Sequence, residues 1–101
     1  MDDQIAQLRT LREKIAAYSQ TLAERELTGR TMRLELEAEL RTANAGISKT
    51  EAEKLAKAEP RYLDHERRSI QIGYDRDVAL AKAEALRLEL DLAIADQTGV
   101  P

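Results

Sequence analysis

The sequence predicts an all-α fold, an antiparallel helical hairpin with a coiled-coil seam whose second arm is broken or kinked at Pro60. Three observations predict it. The first is composition. Charged residues make up 35% of the 101 and hydrophobic ones 43%, Leu and Ala lead, and Phe and Trp are absent; this suits long helices and not a sheet core, which draws on Val, Ile and aromatics. The second is periodicity, with apolar residues recurring at spacings of three, four and seven along most of the chain. The third is a single short segment, Asn44-Ala45-Gly46-Ile47-Ser48. Gly46 suits the left-handed residue that ends a helix. Ser48 suits the N-cap of the next, and Glu51 completes a capping box. Two helices joined by so few residues fold back to back.

The length fits one domain, residues 1–101. The first helix is expected over 3–44, with Asp2 or Asp3 at its positive end. Leu8, Leu11, Ile15, Tyr18, Leu22, Gly29, Leu36 and Leu40 form its stripe. Gly29 marks either a local break or a place where a partner packs close. The turn occupies 45–48. A second helix follows over 49–58, with Leu55 and Ala58 facing inward. Pro60 cannot donate within a helix and disfavours helical geometry at Glu59, so it is placed at the first position of a third helix over 60–96. Residues 97–101 are expected to form a frayed tail.

The third helix carries two apolar faces, roughly opposite at about 100° per residue. Leu63, Ile70, Tyr74, Val78, Ala81, Ala85, Leu88 and Leu92 lie on one. Ile72, Ala79, Ala83, Leu86, Leu90 and Ile94 lie on the other. Folding about the turn pairs residues whose numbers add to about 93, as two antiparallel helices require. Ile15 then meets Val78, Ile5 meets Leu88, and Tyr18 lies near Tyr74. This assigns the first face to the seam and leaves the second, Ile72 to Ile94, for another copy. A homodimer forming a four-helix bundle is the expectation. Arg25 and Glu26 fall opposite Glu66 and Arg67, which predicts an Arg25–Glu66 or Glu26–Arg67 contact.

No motif for catalysis, metal or cofactor rises above background. His65 is the sole histidine; Ser69 stands where a zincin motif needs its second histidine, and Tyr62 where a di-iron site needs glutamate. A solvated surface histidine is expected. Glu35, Glu37 and Glu39 form an acidic cluster explained by solvated faces and by pairing of Glu37 with Arg41. Paired carboxylates need a walled pocket to act as acid and base, and a two-helix rod offers none, so no enzyme activity is expected. The net charge is −3, which gives no general pull toward nucleic acid or anionic membrane. The most basic segment holds Lys54, Lys57, Arg61 and Arg68; with Tyr62 as an anchor, these five are the candidate partner-binding residues. The chain has no Cys, no apolar run long enough to span a membrane and no apolar leader after Met1, so a cytoplasmic location is expected.

The stretch Ile47–Tyr62, ISKTEAEKLAKAEPRY, followed by a long charged helix, resembles small helical proteins encoded in bacteriophage and prophage genomes. The likeness covers that stretch and the general pattern and transfers no functional residue. It implies a non-enzymatic accessory or inhibitor protein that binds and redirects or blocks a host factor. The sequence therefore predicts a protein-binding module. A Rop-like dimeric nucleic-acid-binding hairpin is the first alternative and a structural coiled-coil assembly subunit the second.

Overall fold

The computed structural model describes residues 1–97 and Gly99. The chain is an all-α helical hairpin of three helices, α1 (Asp2–Ala43), α2 (Lys49–Ala58) and α3 (Pro60–Gln97). Asp2 and Asp3 occupy the first turn of α1 and Arg41 its last, each favourable to the helix dipole. Of the tail expected over 97–101, Gln97 belongs to α3, and residues 98, 100 and 101 lie outside the described residues.

At the turn, the Ile47 N–H donates to the Asn44 carbonyl at 3.1 Å. Gly46 does not take the expected left-handed conformation; among the described residues only Gly99 has positive φ. A turn closed from the fourth residue to the first, with both central residues right-handed, needs no such position. Ser48 is extended and its Oγ accepts from the Glu51 N–H at 3.1 Å, satisfying a donor that the first turn of α2 leaves open.

The second arm is broken rather than kinked. Glu59 has φ −63° and ψ 135°, the extended geometry that a residue before proline prefers. Its N–H donates to the Ala56 carbonyl at 3.2 Å, and its own carbonyl accepts from the Leu63 N–H at 3.0 Å. Pro60 opens α3, where a missing N–H costs nothing.

Two compact units share these helices. In the first, Met1–Gln20 packs with the part of α3 that begins at Gly73. Its core is thin: Leu8, Ala83 and Leu90 are buried, with Leu11, Ile15 and Leu86 against them. Gln4 Nε2 reaches Glu89 Oε2 at 3.5 Å, on the expected register. In the second unit, Thr21–Ile72, the buried positions are Leu36, Ala52, Ala56, His65 and Gly29. Leu55 and Ala58, expected to face inward, are exposed. The small side chains of Ala52 and Ala56, one turn apart, form the inner face of α2 instead.

Candidate interaction surfaces

The seam uses the face of α3 that the pattern had assigned to a second copy. Ala79, Ala83 and Leu90 are buried and Leu86 is half-buried, in the same core as Leu8 of α1. Ile72 is half-buried as well; of the six candidate dimer residues only Ile94 is exposed. The face that packs is the one whose polar positions α1 answers, with Arg25 on Ser69 and Gly29 against His65. In the first unit Gln4, Leu8, Leu11, Ile15 and Tyr18 alternate strictly by four and three, and so do Arg76, Ala79, Ala83, Leu86 and Leu90. Matched alternation of this kind is what knobs-into-holes packing demands.

The other face of α3 is therefore the open one. Within the first unit Tyr74 is 63% exposed, Leu88 52% and Leu92 67%, and Ala81 and Ala85 are also exposed. These positions lie about 160° around the helix from the seam at 100° per residue. The contacts expected from Val78 and Leu88 toward α1 are accordingly not the core contacts. Tyr18 and Tyr74 do line one shallow groove beside Val78, as the register implies, but Tyr74 stands largely in solvent.

Acidic residues border this stripe. Asp77, Glu84 and Asp91 follow one edge, and Glu89 and Asp96 follow the other together with Lys82. Asp77 and Glu84 are partly neutralised, by Arg76 at 3.4 Å and Arg87 at 2.8 Å. The outer face of α1 in the same unit has the opposite character. Ile5, which is 44% exposed, Leu8, Arg9, Arg12 and Ala16 line an open groove of about 400 Å³, with Glu13 at its margin. Arg9 and Arg12 make no ion pair among the described residues.

The second unit holds a polar layer of a different composition from the one expected. Among the described residues Arg25 is bound neither to Glu66 nor to any other carboxylate. Its Nε donates to Ser69 Oγ at 2.8 Å and its Nη2 to the His65 carbonyl at 2.9 Å. Glu26 pairs along its own helix with Arg30 at 3.8 Å. The fork of the guanidinium thus ties α1 to one turn of α3, where Ser69 Oγ also donates to the His65 carbonyl at 3.0 Å.

His65 is not a surface histidine. Its side chain is only 8% exposed, and both ring nitrogens are buried without a hydrogen-bond partner in the protein. Glu66 Oε1 lies 3.8 Å from Nδ1, too far for a hydrogen bond and close enough to act on the ring only when it is charged. The ring lies against Gly29. A Cβ at that position would stand 2.9 Å from the ring's Cε1. Gly29 is thus the place where a partner packs close, in a helix that runs through it unbroken.

The candidate partner-binding residues do not converge. Lys57 lines one shallow groove with Arg33 and Lys49, and half-buried Tyr62 lines another with Arg30 and Glu66. Arg61 is held by Glu39 at 3.2 Å and Arg68 by Asp64 at 3.3 Å, while Lys54 is exposed. Tyr62 is less exposed than Tyr74, so the better aromatic anchor is Tyr74. In the acidic cluster Glu37 pairs with Arg33 at 3.6 Å, not with Arg41.

Among the described residues no group of three or more His, Asp or Glu is arranged to hold a metal ion. No helix in that range is long and apolar enough to cross a membrane. No protein-family model matches the chain, and no curated protein or solved structure matches it significantly.

Proposed function

We propose that this protein is a non-enzymatic protein-binding module, an accessory or inhibitor protein of the phage type, that occludes or redirects a protein partner with one helix face. The observation that carries the reading is the exposed stripe Tyr74, Ala81, Ala85, Leu88 and Leu92 on α3. Scattered exposed leucines need no explanation, but a continuous apolar stripe edged by charge has the form of a helix-recognition surface. Tyr74 offers a large contact area at little entropic cost, with a hydroxyl left at the rim.

The test is affinity capture from a lysate of the native host, with tagged wild type beside tagged Leu88→Glu/Leu92→Glu. Both substituted positions are exposed, so circular dichroism of the variant should match wild type. The expected result is a protein retained by wild type and lost, at least tenfold, by the variant. Equal capture by both would remove the stripe from the function.

A further inference from the structure

We infer that the acid-edged stripe on α3 is a docking site for the basic outer face of α1 in a second copy, so that the protein assembles head to tail. This rests on the reading of that stripe as the binding surface and names its occupant. Both halves of the contact lie in the first unit. One half is Tyr74, Ala81, Ala85, Leu88 and Leu92, edged by Asp77, Glu84 and Asp91 on one side and by Lys82, Glu89 and Asp96 on the other. The other is the groove of about 400 Å³ with Ile5, Leu8 and Ala16 as its apolar lining and Arg9, Arg12 and Glu13 beside them.

Charge decides between the ways two copies could meet. Packing α3 against α3 of another copy would bring one acidic edge against another, and like charges at an interface cost affinity. Packing α3 against α1 of another copy brings Asp91, which has no ion pair, toward Arg9 and Arg12, which have none either. Leu88 and Leu92 then meet a groove whose lining is apolar.

Geometry decides whether the contact closes. Seam and outer stripe lie about 160° apart on α3 and about 110° apart on α1, counting 100° per residue. A square bundle of four helices needs about 90° at each corner. Two hairpins therefore cannot satisfy both faces of both copies, and each contact leaves one free stripe and one free groove at the ends. A contact between unlike surfaces that does not close adds further copies. A host factor that reached the same stripe would compete with the next copy.

Sedimentation equilibrium of two blocked variants tests this. Leu88→Glu/Leu92→Glu removes the stripe and keeps the groove. Ile5→Glu/Arg12→Glu removes the groove and keeps the stripe. Wild type should show a mass that rises with concentration beyond twice the 11.4 kDa chain and falls when salt is raised. Each variant alone should stay at the chain mass with wild-type helicity, and an equimolar mixture should converge on twice that mass and stop. Dimerisation of Ile5→Glu/Arg12→Glu by itself would overturn the inference in favour of α3 against α3. Wild type that remains monomeric at every concentration would overturn it too, while leaving the captured-partner test of the stripe intact. A mixture that stays monomeric overturns it equally.

Discussion

Gly29→Ala should destabilise the protein, although alanine is the better helix former. Replacing a mid-helix glycine by alanine is worth about 1 kcal/mol in favour of folding. Here the new Cβ would sit 2.9 Å from His65 Cε1 and 3.2 Å from Nδ1. The ring is buried and cannot move aside without displacing its neighbours, and such overpacking costs about 1–3 kcal/mol. The steric term should win, giving a net loss of about 1 kcal/mol. In a His65→Ala background the clash is gone and the same change should stabilise by about 1 kcal/mol. Urea denaturation of the four proteins measures the coupling directly. An equal effect of Gly29→Ala in both backgrounds would show that the two residues do not meet.

Leu90→Glu should be the most damaging exposed-looking substitution in α3. On the sequence pattern alone this change removes a dimer contact and spares the hairpin. In the structure Leu90 belongs to a core of three buried residues with Leu8 and Ala83. A carboxylate there loses the packing of a leucine and buries a charge without a partner, roughly 3–5 kcal/mol together. So thin a core has little to spare. Thermal denaturation followed by circular dichroism should show Leu90→Glu melting far below wild type. Leu92→Glu, two residues on and 67% exposed, should change stability by no more than about 0.5 kcal/mol. Similar melting of the two would mean that the inner and outer faces are not distinguished as described.

Much of the architecture was legible because it rests on local chemistry. Ser48 and Glu51 start α2, Pro60 divides the second arm, and the strict stripe of α1 runs from Leu8 to Leu36 through Gly29. Which face of α3 closes the seam was harder to see, since both faces carry Leu and Ala at helical spacing. The outer one looks better on hydrophobicity, being almost wholly apolar. The inner one is interrupted by His65, Ser69 and Arg76. His65 and Ser69 are tolerated because α1 answers them: Arg25 binds Ser69 and the His65 carbonyl, and Gly29 makes room for the ring; Arg76 reaches Asp77 on its own helix. The inner face alternates strictly by three and four through Ala79, Ala83, Leu86 and Leu90, as α1 does. The outer stripe keeps the same alternation, by four and three through Tyr74, Val78, Ala81, Ala85, Leu88 and Leu92. Spacing alone therefore does not choose between the two faces; the residues that α1 sets opposite Ser69 and His65 do. His65 misleads for a related reason. Its sequence neighbours Asp64, Glu66 and Arg67 are all charged, and its burial emerges only when the hairpin register sets it opposite Gly29.

One face of α3 is packed in the seam and the opposite face stands open. Because the chain contains no cysteine, a single introduced thiol reports its own site without background. Ala81→Cys and Ala83→Cys are small changes on the open and packed faces respectively. Labelling with a maleimide at a concentration where wild type is least associated should modify Ala81→Cys at nearly the rate of an unstructured peptide. Ala83→Cys should react at least tenfold more slowly. Equal rates, or faster labelling at position 83, would contradict the assignment of the two faces and the function built on it.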